Sequence, residues 1–218
     1  MNRSWIWLPL LFVPIITIMV FAIYKPILVL PRIALAPGFS LLTQEGSRLT
    51  SEDLRGQLTL YNFTYSGCQP PCPQTGQTMK AIQNQLPQLD PLGPEMGLLS
   101  ISVDPAQDTP ERLQMLSRAL GADESRWRFA TGSTETVKQV IGGGFRTYYH
   151  QSATGEITLE PAFILVDGWG IQRAEYRTEE PDITIILRDI KLLQKEAKNS
   201  KGAMRYAYEA AHLFLCYP

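Results

Sequence analysis

The stretch that decides the fold is Leu58-Thr59-Leu60-Tyr61-Asn62-Phe63-Thr64-Tyr65-Ser66-Gly67-Cys68-Gln69-Pro70-Pro71-Cys72-Pro73. Its first half, Leu58 to Phe63, is a compact apolar run of the kind a strand buried on both faces shows. A turn with two cysteines follows at once. Pro73 then suits the first turn of a helix, where its missing N–H costs nothing, and Thr75 to Leu86 reads as that helix. A thiol held between a buried strand and a helix start sits near unpaired N–H groups and the positive end of the helix dipole. Both favour the thiolate, the form that attacks disulfides and binds soft metal ions.

Only one other cysteine is present, Cys216, and only two histidines, His150 and His212. This is no disulfide-dense scaffold. A close pair in a cysteine-poor chain points to redox chemistry or metal binding rather than to two structural thiols, because proline-flanked cysteines in a tight loop are poorly placed for a core. Cys68 and Cys72 are therefore the candidate catalytic and metal-ligating residues.

Around this centre the chain alternates strands and helices. Phe39 to Thr50 holds two short apolar stretches about Glu45-Gly46, a hairpin signal. Met96 to Val103 is a second buried strand. Thr109 caps a helix that begins at Pro110 and shows Leu113, Leu116 and Leu120 on one face. Phe129-Ala130 suggests a short strand, and Ser133 caps a helix through Val140. Gly142-Gly143-Gly144 is not a nucleotide loop, since no apolar strand leads into it; it reads as the end of that helix. Ala162 to Val166 and Ile171 to Tyr176 read as a terminal hairpin, and Ile183 to Lys195 as an amphipathic helix. The fold class is α/β, a sheet covered by helices.

The 218 residues suit one domain with extensions, and 44% apolar content is ordinary for a globular protein. Twenty basic against 21 acidic residues leave no pull toward nucleic acid. Trp5 to Tyr24 carries no charge, and as a helix it covers about 30 Å, a bilayer core. We read it as an uncleaved single-pass anchor. Arg3 precedes it and Lys25 and Arg32 follow, so charge alone does not orient it. The expected organisation is an anchor over 1–25, a proline-rich linker over 26–36, the domain over 37–198, and an apolar helical tail over 199–218. The domain is expected outside the cytoplasm, on the periplasmic side of the cell membrane, where disulfides persist.

Taken together, the motifs resemble the Sco/SenC family. Ala36-Pro37-Gly38-Phe39-Ser40-Leu41 is similar to its opening strand and Leu54-Arg55-Gly56-Gln57 to its Leu-Arg-Gly-Lys turn. Cys68-x-x-x-Cys72-Pro73 matches its hallmark. Ser102-Val103-Asp104-Pro105 with Asp108-Thr109-Pro110, and Thr131-Gly132-Ser133, match two further blocks. The resemblance covers residues 36 to 196. It implies a thioredoxin-like fold, an anchor, and copper, Cu(I) or Cu(II), delivered to cytochrome c oxidase. The implied partners are the membrane, a respiratory oxidase or related membrane complex, and a thiol reductant protein.

One element of the pattern is missing. The family completes its copper site with a histidine just before the last apolar strand, typically in Asp-His-Ser. Here that stretch runs Thr158-Leu159-Glu160-Pro161-Ala162-Phe163, and the ligand does not transfer. Pro161 instead resembles the proline that faces the cysteine pair in membrane-anchored thioredoxin-like reductases. His150, on a loop or hairpin, and the His212/Cys216 pair, one helical turn apart, are the two substitutes for the histidine. Against them stand a solvated loop histidine and a packed Cys216. Peroxiredoxin, Cys-His protease and zinc-site patterns are not met. The function expected is an assembly factor handling copper or copper-site thiols in oxidase maturation. The alternatives are a general thiol–disulfide oxidoreductase and a non-catalytic subunit or binding module of a respiratory complex.

Overall fold

The computed structural model describes residues 12, 13, 16, 19, 27–68, 75–89, 91, 93–152, 154–200, 202 and 204–214. The central run is strand β4, Leu58–Thr64, buried at every position. It sits between β5 (Met96–Ser102), which it pairs in parallel, and β9 (Phe163–Val166), which it pairs antiparallel. Beyond β5 lie the parallel strand β6 (Trp127–Thr131) and the hairpin of β2 (Ser40–Thr43) and β3 (Arg48–Thr50). Beyond β9 lie β10 (Ile171–Tyr176) and a two-residue edge strand, β1 (Ala34–Leu35). The sheet order is β1-β10-β9-β4-β5-β6-β2-β3. A separate hairpin joins β7 (Tyr149–Gln151) to β8 (Ile157–Leu159).

Alternation along the strands feeds two cores. Leu58 and Leu60 of β4, with Leu98, Trp127, Phe129, Phe163 and Leu165, face three helices: α1 (Thr75–Gln85), α2 (Pro110–Leu120) and α4 (Ile183–Asn199). These supply Met79, Ile82, Leu113, Ile186, Ile190 and Leu193. Tyr61 and Phe63, with Leu99, Ile101, Ile164 and Val166, face the other way. There they meet Phe39 and Leu41, and Val137, Val140 and Phe145 about α3 (Thr134–Val137). Burial on both faces is why the central strands read as unbroken apolar runs.

The helix expected from Ser133 is capped as read, the Thr136 amide donating to the Ser133 hydroxyl at 3.1 Å. After one turn it widens into a π-helical segment, Lys138–Gly144, that takes in all three glycines. A side chain at Gly144 would lie 2.3 Å from the Cβ of Pro37. Its bareness lets the chain entering the sheet pass across this segment. The amphipathic helix expected over Ile183 to Lys195 continues to Asn199, and α5 (Met204–Phe214) follows it.

The proline-rich stretch read as a linker contributes the edge strand β1. Val29 and Leu30 are buried, and Val29 packs on Tyr208 and Ala211 of α5. Among the described residues no helix is long and apolar enough to cross a membrane. Most of Trp5 to Tyr24 lies outside the described residues; its described members, Phe12, Val13, Ile16 and Met19, are helical and exposed.

Candidate functional site

The cysteine loop springs from the C-terminal end of β4. Its first turn closes with the Cys68 amide donating to the Tyr65 carbonyl at 3.2 Å. Asp108, fully buried, clamps the turn. Its carboxylate accepts the Ser66 amide at 3.0 and 3.2 Å, the Ser66 hydroxyl, and the Ser102 hydroxyl at 2.5 Å. Ser102 in turn accepts the Asp104 amide at 3.0 Å, and the Asp108 amide donates to the Asp104 carbonyl at 2.8 Å. The Ser102–Asp108 block, read from sequence only as a matching motif, is thus the mount on which the loop stands. The motif showed the residues; only the fold shows that they grip Ser66.

A second buried chain of hydrogen bonds pins the start of α1 behind the loop. The Trp127 indole donates to Ser100 at 2.8 Å, and Ser100 to Asn62 at 2.5 Å. The Asn62 amide donates to Thr75 at 3.1 Å, and Thr75 to the Phe63 carbonyl at 3.2 Å. Sequence reasoning missed this path, because Asn62 and Ser100 are single polar residues inside apolar runs. That interruption was the available signal: a polar group in a buried strand needs a partner.

Cys68 is half-buried and disulfide-bonded. Cys72 and Cys216 both lie outside the described residues. The carboxyl of Asp104, close by, is pushed above its usual value, first by burial and then by the charge of Asp108. The Tyr65 phenol is also pushed up, by burial and then by Asp104 and Glu156. Its hydroxyl donates to the Ile157 carbonyl at 3.4 Å, drawing the β7–β8 hairpin toward the loop. A shallow groove runs alongside, lined by Tyr65, Gly67, Asp104, Arg112, Met115 and Ile157.

Of the remaining candidates, Pro161 is half-buried in the approach to β9. Asn62 faces Phe163 in the antiparallel β4–β9 pair. Continuing that register sets Pro161 beside Thr64, at the end of β4 from which the cysteine loop departs. His150 is exposed on β7, opposite Thr158. His212 belongs to a different centre. Its Nε2 lies 2.9 Å from Glu196, which also pairs with Arg173 at 2.8 Å, and Arg173 pairs with Asp167 at 2.9 Å. Cys216, its proposed partner in metal binding, lies outside the described residues. Among the described residues no three histidine, cysteine or acidic side chains converge as a metal site.

An α/β sheet with a cysteine loop at the end of its central parallel strand and a helix behind it defines a thioredoxin-like protein. The SCO1/SenC family model matches residues 30–194, and the chain belongs to that family. It is 32% identical over 111 residues to the human "Protein SCO1 homolog, mitochondrial", covering 51% of this chain and 35% of the relative. The chain spans about a third to a half of the length of the curated relatives it matches. Among solved structures it is similar to a SCO1/SenC family lipoprotein from Bacillus anthracis, with a TM-score of 0.67 at 26% identity, covering 73% of this chain and 95% of that one. It is similar in fold to Arabidopsis thaliana ScoI with copper bound, with a TM-score of 0.64 at 22% identity, covering 74% of this chain and 99% of that one.

Proposed function

We propose that this chain is a membrane-anchored assembly factor that handles copper, or the thiols of a copper site, during respiratory oxidase maturation, and that Cys68 and Cys72 do the work. The observation that carries the reading is the placement of Cys68, half-buried on a turn that buried Asp108 holds at the end of the central strand, in a chain of this family. Copper is the cargo. Cu(I) prefers soft thiolates, which two cysteines four apart supply. No histidine occupies Thr158 to Asp167, and exposed His150 is not a member of the ligand set in this reading. A two-thiolate site, completed by the receiving protein, binds more weakly and releases more readily than a three-ligand site. Binding also needs both thiols deprotonated, so affinity drops as pH is lowered.

The disulfide at Cys68 supports a second, chemically adjacent reading, a thiol–disulfide oxidoreductase with Pro161 beside the pair. A thiolate of the reduced pair attacks a partner's disulfide and forms a mixed disulfide. The second thiol of the pair displaces it, leaving two thiols on the partner and a disulfide here. A thiol reductant protein then returns two electrons and two protons. Such chemistry would prepare the thiols of an oxidase copper site. Residues 1–25 anchor the chain in the cell membrane, with the domain on the periplasmic side.

Titrating Cu(I) into the fully reduced full-length chain tests the copper reading. Cys68→Ser and Cys72→Ser are each expected to abolish binding, and His150→Ala to leave it nearly unchanged. Absence of Cu(I) binding to the reduced wild type would remove the copper reading and leave thiol exchange. A large loss in His150→Ala would make His150 a ligand.

A further inference from the structure

At the pole of the sheet opposite the cysteine loop, three parts of the chain meet. The chain enters there through residues 27–35, where Val29 and Ile27 pack on Tyr208 and Ala211 of α5. The β9–β10 turn closes there: Val166 faces Thr59 near the start of β4, and the turn carries Trp169. The C-terminal end of α4 arrives there too. Trp169 shares a groove with Leu193 and Ala197 of α4, and Glu196 on that helix reaches His212 of α5.

This corner exposes large apolar groups that the fold does not cover. Leu35 is 76% exposed, Tyr206 71%, Trp169 56% and Met204 50%, with Ile33 and Leu28 less so. Exposed cations on the helices that meet here include Lys195 and Lys198 at the end of α4, and Arg205, whose guanidinium lies 5.6 Å from the Tyr206 ring centroid; beside Trp169 stands Arg55, which donates to the Trp169 carbonyl and pairs with the exposed Glu52 at 3.2 Å. Glu209, the exposed acid of α5, is taken by Arg32 at 3.0 Å, and Glu196 is buried in its own pairs. Aromatic and aliphatic side chains ringed by Lys and Arg are the composition that settles at an anionic bilayer interface. The covering surface is identified by chain continuity. The uncharged run Trp5 to Tyr24 ends three residues before Ile27, so a bilayer holding that run lies within a few residues of the segment that packs on α5.

We propose that this corner, formed by Leu35, Trp169, Met204 and Tyr206 with Lys195, Lys198 and Arg205, lies on the anionic lipid interface. The domain is then seated on the membrane rather than tethered above it. The inference rests on the anchor reading given above. Its consequence is orientation. β4 runs from this pole to the cysteine loop over seven residues, about 20 Å at a rise of ~3.3 Å per residue. Cys68 is held at that height, facing away from the bilayer, toward the soluble part of any membrane complex beside it.

The test uses the full chain in nanodiscs of phosphatidylcholine alone or with phosphatidylglycerol, and lipids brominated at a shallow or a deep acyl position. Subtracting Trp169→Phe emission from wild type isolates Trp169 from Trp5, Trp7 and Trp127. In the anionic discs the Trp169 signal is expected to be blue-shifted and quenched more by shallow than by deep bromine. The triple variant Lys195→Gln, Lys198→Gln, Arg205→Gln is expected to lose that quenching while its far-UV circular dichroism is unchanged. If Trp169 remains water-exposed while Trp5 and Trp7 are quenched, the anchor stands and this inference is overturned, leaving the corner to a protein partner. If Trp5 and Trp7 are not quenched either, both fall.

Discussion

The two poles of the central strand are built by different means. At the cysteine pole a single buried carboxylate, Asp108, collects donors from Ser66 and Ser102 and fixes one turn. At the opposite pole a buried guanidinium, Arg173, collects acceptors from three separate segments. It pairs with Asp167 and Glu196 and donates to the carbonyls of Leu30 and Pro31 at 2.8 and 3.1 Å. One pole is organised around a buried anion within about 40 residues of sequence, the other around a buried cation that ties segments more than 140 residues apart. The first mounts a reactive loop at the surface. The second closes the fold where the chain enters and leaves it. Local hydrogen bonding is enough to shape a loop, whereas joining chain ends needs a group with several donors and long reach, which is what arginine supplies.

The comparison breaks most visibly at Arg173. Arg173→Ala strands two buried carboxylates and two carbonyls, and the expected loss is about 3–5 kcal/mol, read as a lowered urea midpoint. A loss under about 1 kcal/mol would mean that water reaches Asp167 and Glu196 and that this pole is not closed by the arginine. Asp108→Ala leaves the Ser66 amide and hydroxyl and the Ser102 hydroxyl without their acceptor. A loss of about 1–3 kcal/mol is expected, together with a changed reduction potential of the cysteine pair. An unchanged potential would sever the mount from the thiols, even if stability fell.

The smallest effect separates the poles by pH. Burial pushes the Glu196 carboxyl up, but hydrogen bonds from His212 and Arg173 outweigh it and hold the group below its ordinary value of 4.5. Folding therefore favours its ionised form. That stabilisation is complete above the ordinary carboxylate range and is lost as pH falls through the depressed value. Asp104 is shifted the opposite way, so its protonation in the folded state comes first. On acidification, hydrogen exchange is expected to rise in α5 only below pH 4.5, after any change at the cysteine loop. Opening of α5 at pH 6 would overturn this order.

Much of the fold was legible because its signals are local. The central strands are buried on both faces, so Leu58 to Phe63, Met96 to Val103 and Ala162 to Val166 stand out as apolar runs. Thr109 and Ser133 show as helix starts because a cap acts on an amide three residues away. The cysteine motif and the family to which the chain belongs were readable for the same reason. The widened turn at Lys138–Gly144 was not, since a π-helical segment has no composition of its own and here accommodates Pro37 from a distant part of the chain.

By itself the sequence determined the order of the central strands and the main helices, the cysteine loop, and the lack of a histidine before β9, because each is set by neighbours along the chain. Only the tertiary structure decided what those residues meet. It turned Ser102 and Asp108 into the grip on Ser66, and gave His212 to Glu196. It drew Arg173 into the centre of one pole, made the end of the proline-rich entry an edge strand, and packed its start on α5. The reason is physical. A buried charge must find partners wherever the fold brings them, and sequence distance carries no information about which segments a sheet of eight strands sets side by side.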